Sequence, residues 1–221
     1  MRVSIIIPCY NMREYVGEAI ESALAQAYPD FEVIVVNDGS TDGSTAEIAK
    51  FPRAEQIIQP NQGLAAARNK GIEYASGELI LPLDADDKIE YNYLERTVPL
   101  MKPDVGVVST DMVYFGTHQN RLRPTHTSLS AITAHNGMPV CSLIRKKALL
   151  QAGGYKTIMS QGCEDWELWV SILKAGWNVA TLNEPLFWYR RKPVSMVSKM
   201  DRGKMIEVMK GLHPELNWSA R

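Results

Sequence analysis

The sequence predicts an α/β fold with a mostly parallel central sheet flanked by helices. Three observations carry this expectation. Strand-like and helix-like segments alternate through the first half of the chain. The strands read as short, nearly continuous apolar runs, as strands buried on both faces do. Polar or acidic residues follow three of them directly: Pro-Cys-Tyr-Asn at 8–11, Asn-Asp-Gly-Ser at 37–40 and Asp-Ala-Asp-Asp at 84–87. Ligands of open parallel sheets bind at the carboxyl ends of the strands, so these three segments are expected to share one functional edge.

The elements follow in order. Val-Ser-Ile-Ile-Ile-Pro at 3–8 is a buried strand. Between 13 and 27, Tyr15, Val16, Ala19, Ile20, Ala23 and Leu24 recur at helical spacing, and Pro29 stops the helix. Residues 32–37 form a second buried strand, which runs into an Asp-Gly turn and a short helix at 42–50. A weaker strand at 55–59 precedes a helix at 64–75 that carries Arg68. Leu79 to Leu83 form the strand before the acidic segment. A helix is expected at 90–101, strands at 105–109 and 111–115, and a strand at 140–145 with a short helix at 146–151. The amphipathic helix at 164–175 contains Trp166 and Trp169. Strands at 178–182 and 186–189 follow, then a last helix at 200–212. Residues 116–137 have no clear period, and so long a loop is expected to be functional.

Composition narrows the function classes. The 221 residues are 45% hydrophobic and 22% charged with net charge -1, as in an ordinary globular protein. That balance gives no reason to expect nucleic acid as a partner. Cys9, Cys141 and Cys163 have no metal-type spacing, and an odd, sparse count fits reduced thiols in the cytoplasm. Cys9, at the end of a buried strand, is expected to be a core residue rather than a nucleophile. The four histidines show no ligand motif, and no apolar run approaches the ~20 residues that span a bilayer. No signal-peptide pattern precedes the first strand.

The acidic segment carries the chemistry. Asp84 and Asp86 are two apart, so in an extended strand end they would point to the same side. Two converging carboxylates with no cation nearby in sequence suggest a hard divalent ion, Mg²⁺ or Mn²⁺. The plain alternative is a solvated acidic turn. An aromatic ring at 10, an aspartate at 38 and this pair could hold a base, a ribose and a diphosphate in that order. Neither a dinucleotide-binding glycine fingerprint nor a P-loop is present.

Val-Ser-Ile-Ile-Ile-Pro-Cys-Tyr-Asn at 3–11, Val-Val-Asn-Asp-Gly-Ser-Thr-Asp at 35–42, Asn-Gln-Gly-Leu-Ala-Ala-Ala-Arg-Asn-Lys-Gly at 61–71 and Leu-Asp-Ala-Asp-Asp at 83–87 stand in order. Gly-Gly-Tyr at 153–155, Cys-Glu-Asp-Trp-Glu-Leu-Trp at 163–169 and Glu-Pro-Leu-Phe-Trp-Tyr-Arg at 184–190 follow. Together they resemble a family 2 glycosyltransferase with the GT-A fold, over residues 3 to 191. The resemblance implies one domain, with a Rossmann-like nucleotide-sugar-binding half at 1–101, an acceptor half at 102–192 and a C-terminal tail at 193–221. It implies a nucleoside diphosphate sugar as donor, UDP-linked by family frequency. The acceptor would be a glycan or lipid-linked sugar, with inversion at the anomeric carbon.

The resemblance also implies roles. Pro8, Tyr10 and Asn11 would lie at the nucleotide, Asp38 would bind base or ribose, and Arg68 would reach the pyrophosphate or support Asp38. Asp84 would contact ribose or sugar, and Asp86 would bind Mg²⁺ or Mn²⁺. Asp165 would be the catalytic base, with Glu164 beside it. Adjacent helical residues are about 100° apart. Asp165 lies four before Trp169, and so closer to the inward stripe than Glu164. Trp169 is expected in the core, and Trp166 is left open between core and sugar contact. One departure stands out. Many members of that family carry His three residues after the tyrosine at 189, and Lys192 stands there instead. A third protein ligand for the metal is thereby lost, and Lys192 or Arg191 could neutralise the diphosphate directly. An exposed basic cluster is the plain alternative.

Two rival readings remain at this point: a D-x-D phosphatase with a nucleophilic aspartate, and a nucleotide-sugar-binding module without turnover. The transferase would work in the cytoplasm, with peripheral contact at the inner face of a membrane compatible with it. Cell-envelope or exopolysaccharide assembly is its expected setting.

Overall fold

The computed structural model describes residues 1–117, 119–193 and 200–218. Position 118 in the aperiodic segment, and 194–199 and 219–221 in the expected tail, lie outside the described residues. The first half alternates as expected: β1 Val3–Cys9, α1 Val16–Leu24, β2 Phe31–Asp38, α2 Ser44–Ile48, β3 Ala54–Gln59, α3 Leu64–Tyr74 and β4 Leu79–Pro82. β2 and β4 flank β1, β3 borders β2, and all these pairs are parallel. All seven residues of β1 and all four of β4 are buried, because helices cover both faces. Ile5, Ile7, Val33, Val35 and Leu81 face the α1 side, whereas Ile6, Ile34, Val36 and Ile80 face the α3 side.

The second half turns the sheet. α4 Tyr93–Thr97, with a 3₁₀ turn Val98–Leu100, replaces the longer helix expected at 90–101, and β5 Lys88–Ile89 precedes it. Glu90 continues from β5, its N–H donating to Leu186 O (2.9 Å), and Pro99 cannot donate to a regular last helical turn. β6 Val105–Gly116 and β9 Asn178–Arg191 are each one long strand rather than two, paired in parallel. Their register jumps where Thr110↔Leu182 gives way to Asp111↔Pro185. Pro185 stands at that irregularity, where a missing N–H costs least. Arg121 of β7 Asn120–Leu122 fixes the jump by donating to the buried Asp111 carboxylate (Nε–Oδ2 2.7 Å) and to the Asn183 carbonyl (3.0 Å). The aperiodic segment thus holds one short strand and the single turn α5 Leu129–Ile132.

β8 Leu143–Arg145 is shorter than the strand expected at 140–145, and joins β4 to β6 antiparallel on both sides. α6 Lys146–Gln151 falls where expected. The described sheet has the order β3-β2-β1-β4-β8-β6-β9-β5, with β7 on β6, and is mostly parallel on one side and mixed on the other. α7 Glu164–Lys174 packs Trp166, Leu168, Trp169 and Ile172 onto the α3 face. The last helix, α8 Arg202–Leu212, adds Met205, Ile206 and Met209 to the same cluster. It is pinned to α7 by His213 Nε2 against Glu167 Oε1, 2.9 Å apart in the core.

α3 approaches the sheet closely at Gly71, where an added Cβ would stand 2.3 Å from Ile6 Cγ2. Alanine favours a helix over glycine by ~1 kcal/mol, whereas overpacking costs about 1–3 kcal/mol. Gly71→Ala is therefore expected to lower the free energy of unfolding in urea. An unchanged or raised midpoint would show that β1 and α3 separate easily.

Candidate active site

Because β1, β2 and β4 run in parallel, Cys9, Asp38 and Pro82 end on one edge. A cleft of about 670 Å³ opens there, lined among others by Pro8, Tyr10, Asp38, Asp86, Asp165 and Tyr189. Pro8 suits its place. Leu83 N donates to Ile6 O (2.9 Å), the last backbone bond from the β4 chain to β1. An N–H two residues further along β1 would face the same side without a strand to receive it.

Asp38, 2% exposed, organises the donor-side wall. Its Oδ1 accepts from Gln59 Nε2 (2.7 Å) and Gln62 N (2.9 Å), and its Oδ2 from Gly63 N (2.8 Å). One carboxylate so fixes both the end of β3 and the start of α3. Gly39 follows at φ +76°, and a Cβ there would meet Asn61 N at 2.8 Å, so glycine is required. Tyr10 stands 48% exposed at the mouth. Asn11, expected at the nucleotide, does not line the cleft. It adopts φ 53°, its Oδ1 accepts from Thr41 N (2.8 Å) and its N–H donates to Ser40 Oγ (3.0 Å). Asn11 therefore ties the β1 and β2 loops together.

Arg68 does not support Asp38. It is 1% exposed on α3, bonded through Nη2 to Asp84 Oδ1 (2.6 Å) and through Nη1 to Glu164 Oε1. Its guanidinium lies 5.2 Å from the centre of the Tyr155 ring. Burial pulls its pKa down, but Asp84 and Glu164 outweigh that and hold it well above the ordinary value. The neighbouring Asn69 clamps Tyr155 from both sides, Nδ2 to its carbonyl (2.8 Å) and Oδ1 from its N–H (2.9 Å). The Arg-Asn of one motif so meets the Gly-Gly-Tyr and Glu-Asp-Trp of two later ones.

Asp84 and Asp86 do not converge. β4 ends at Pro82, and residues 84–87 form a turn closed by Asp87 N to Asp84 O (3.0 Å), so the two-residue alternation of a strand no longer applies. Asp84 turns to Arg68, whereas Asp86 Oδ2 meets Lys192 Nζ at 2.6 Å. Asp87 is 1% exposed and accepts from Arg190 N (2.7 Å). Burial, then the charges of Asp86 and Asp84, raise its pKa well above the ordinary carboxylate value. β9 causes this arrangement. Lys88 pairs with Trp188, which brings the residues just past Trp188 against those just before Lys88.

No group of three or more His, Cys, Asp or Glu among the described residues is arranged to hold a metal. A Mg²⁺-type ion, however, commonly takes only one or two carboxylates and completes its shell with phosphates and water. Asp86 fits that smaller role, as a hard carboxylate in the cleft that the described residues engage through Oδ2 alone.

On the opposite wall, Cys163 takes the left-handed conformation (φ 62°) and starts α7 at Glu164. Glu164 is 5% exposed and given to Arg68. Asp165 also lines the cleft, and its partners are neutral: Asn136 Nδ2 to Oδ2 (3.1 Å) and Trp166 N to Oδ1 (2.7 Å). Burial, then Glu164, push its pKa up to about 6. Trp166 and Trp169 are both buried; Trp166 donates its Nε1 to Ile132 O (2.7 Å) and also borders the cleft. Asn136, His135 and Arg202 reach this wall without any signal in sequence. The first two lie in the aperiodic segment, and Arg202 opens the last helix.

With this geometry in hand, comparison with known proteins places the chain. The profile described as Glycosyl transferase family 2 matches residues 4–161, and the chain belongs to that family. It is 30% identical over 197 residues to the "putative teichuronic acid biosynthesis glycosyltransferase TuaG" of Bacillus subtilis, covering 85% of this chain and 78% of that one. Putative glycosyltransferase EpsE of the same organism is 31% identical over 205 residues, covering 86% and 73%. Other relatives are far longer: an uncharacterized glycosyltransferase of Rickettsia bellii is 44% identical over 105 residues, and the match spans 46% of this chain and 15% of its own length. Among solved structures, S. aureus TarS in complex with UDP-GlcNAc superposes with TM-score 0.79 at 20% identity, covering 98% of this chain and 68% of that one. The mannosyltransferase PcManGT from Pyrobaculum calidifontis in complex with GDP-Man and Mn²⁺ gives TM-score 0.73 at 21% identity, covering 98% and 65%. The fold is the GT-A fold of these transferases, and the chain is a glycosyltransferase by family.

The Arg68 junction yields a stability test. Removing one member of a buried ion cluster strands the others and costs about 3–5 kcal/mol. Arg68→Met is expected to lose that much in urea unfolding, and adding Asp84→Asn and Glu164→Gln to recover a large part. A loss under about 1 kcal/mol, as exposed pairs give, would show that the junction is not held by charge.

Proposed function

We propose that this chain transfers a sugar from a nucleoside diphosphate sugar to a hydroxyl of a glycan or lipid-linked acceptor, with inversion, using Asp165 as the base. The observation that supports this best is the isolation of Asp165. Each other carboxylate of the cleft is committed: Asp84 and Glu164 to Arg68, Asp86 to Lys192, and Asp38 to three neutral donors. Asp165 alone combines a place in the cleft, neutral partners and a pKa of about 6, near the optimum for a base at neutral pH.

In the proposed reaction the acceptor oxygen attacks the anomeric carbon from the face opposite the leaving group. Its proton passes to Asp165, the carbon–phosphate-oxygen bond breaks, and nucleoside diphosphate leaves. Residues 1–101 serve the donor, with Tyr10 at the base, Asp38 and Asp84 at ribose or sugar, and Pro8 at the floor. Residues 102–192 serve the acceptor. Asp86 would hold Mg²⁺ or Mn²⁺ jointly with the donor phosphates. When bound, that ion neutralises charge building on the leaving diphosphate. Lys192, already on Asp86, brings a second positive charge to the same place and stabilises the same leaving group. Arg68 positions Asp84 and Glu164 rather than touching phosphate.

UDP is the proposed nucleotide. The fold itself does not select it, because one structural neighbour is in complex with UDP-GlcNAc and another with GDP-Man. No helix among the described residues is long and apolar enough to cross a membrane. We place the enzyme in the cytoplasm, in contact with the inner membrane face, in assembly of envelope or extracellular polysaccharide. An aspartyl-phosphatase reading gains no support, since Asp84, its nucleophile, is held by Arg68.

A thermal-shift panel of nucleoside diphosphates and their sugars, with and without Mn²⁺, tests the donor half. At a hundredfold excess over Kd a bound nucleotide stabilises by about 2.7 kcal/mol. Asp86→Ala is expected to remove the Mn²⁺-dependent part, and a full metal response in that variant would dismiss Asp86 as ligand.

The base is tested separately. The transfer rate should fall below pH 6, as the Asp165 carboxylate takes up its proton. Asp165→Asn should lower kcat by ~10² or more at unchanged donor Kd, and Glu164→Gln should lower it less. Stability has the opposite sign. A carboxyl raised from 3.8 to about 6 favours the folded state at low pH and loses that contribution as pH rises through 6. Asp165→Asn should accordingly be more stable than the parent at pH 7, by up to about 3 kcal/mol, and equal to it at pH 3. A parent-like kcat in Asp165→Asn would move the base elsewhere, whereas donor binding without transfer in the parent would leave the chain a binding module.

A further inference from the structure

The cations of the cleft are distributed as unevenly as its carboxylates. Arg68 and Lys192 each sit on carboxylates. Arg202 also lines the cleft, yet no described carboxylate forms an ion pair with it. Its guanidinium lies 5.6 Å from the centre of the Trp166 ring, and its Nη2 stands 3.1 Å from His135 Nδ1. Since an arginine can only donate, His135 Nδ1 accepts, which leaves the imidazole proton on Nε2. His135 lines the cleft too, next in sequence to the Asn136 that holds Asp165. His126 stacks behind it with ring centres 5.5 Å apart.

This guanidinium is placed by the fold, although it is exposed. α8 begins at Arg202, capped by Asp201 accepting from Lys204 N (3.0 Å), and buries Met205, Ile206 and Met209. Its end is fixed to α7 by His213 on the buried Glu167, and by Lys174 on Glu215. α7 carries Asp165 and Trp166 at its start. Arg202 and Asp165 are thus presented by two helices locked to each other, an unpaired cation and an unpaired carboxylate on one wall.

From this juxtaposition we infer that the acceptor is anionic: it carries a phosphate or carboxylate near the reacting hydroxyl, held by Arg202 with His135 while Asp165 takes the hydroxyl proton. The inference rests on the transferase reading above. A planar guanidinium fork matches either anion with two parallel N–H donors, and its stacking on Trp166 limits the side-chain freedom lost on binding. A neutral acceptor would leave this charge without a partner beside the site of transfer. The donor diphosphate has its own cationic group in Lys192, on the β9 side at Asp86.

The probes are glycerol, glycerol 3-phosphate and glycerate, one scaffold without charge, with a phosphate and with a carboxylate. Each is titrated by calorimetry into the free protein and into protein saturated with UDP. At least one charged probe is expected to bind tenfold or more tightly than glycerol, and the stronger of the two identifies the anion. Arg202→Gln should lose that preference, Arg202→Lys should keep part of it, and the Kd for UDP should be the same in all three proteins. Equal binding of all three probes, or a charged-probe preference intact in Arg202→Gln, overturns the inference. So does a weakened UDP Kd in Arg202→Gln, which would assign the guanidinium to the donor. If UDP fails to bind the parent, the donor reading falls, and the titrations into free protein still decide the role of Arg202.

Discussion

The buried guanidinium of Arg68 is the constraint on which the site depends. It bonds the turn after β4 and the start of α7, which are far apart in sequence, and it is carried by a helix that packs on β1 and β2. Three elements must therefore be in register before either carboxylate is satisfied. Coulomb attraction between buried groups is large only when the geometry is right, and their desolvation is costly in every other arrangement. Such a cluster adds little to stability compared with an apolar core of the same shape. Its effect is to make one arrangement of α3, β4 and α7 far better than its near neighbours, and so to fix where Asp165 stands relative to Asp84.

The topology supplies the rest of the positioning. Three parallel strands deliver Pro8, Asp38 and the 84–87 turn to one edge, and their right order follows from β1 lying between β2 and β4. The long pair β6 and β9 then bends at the jump between Thr110 and Asp111, so that the far end of β9 returns to that turn through β5. Lys192, just past that end, meets Asp86 there. The irregularity at Pro185 lies in the strand that carries this residue, and bulges near active sites are common.

Legibility in sequence followed the range of the interaction. The parallel strands, α3, α6 and α7 were readable because burial on both faces, or an amphipathic stripe, leaves a local apolar pattern. Tyr10, Asp38, Asp86 and Asp165 were readable through their motifs, and the structure brings all four to one cleft. What could not be read depended on partners distant in the chain. Arg68 looks like an ordinary helix cation until Glu164 folds against it. The helix expected at 90–101 starts late because Glu90 still bonds across to β9, its N–H to Leu186 O. Asn136, His135 and Arg202 come from an aperiodic segment and from a helix start, where no spacing marks a residue as special. The pairing of Asp84 with Asp86 misled for a related reason: alternation holds only while the strand continues, and it ends at Pro82.

Three carboxylates within four residues would repel one another in any compact turn, and each is relieved differently. Asp84 is neutralised by a buried arginine and Asp86 by a lysine, whereas Asp87 is buried, accepts from Arg190 N and has its pKa raised. These solutions are not equally reversible. Replacing Arg68 would mean dismantling a junction 1% exposed. Lys192 rests against Met12 Sδ (3.8 Å) and over the Tyr15 ring (4.9 Å), with Asp86 as its anionic partner, and an ammonium on a flexible stem can exchange one anion for another. In the proposed reaction the turn thus has one carboxylate for the metal ion and one cation for the diphosphate. That division between fixed and exchangeable partners supports assigning those roles to Asp86 and Lys192 rather than to Asp84.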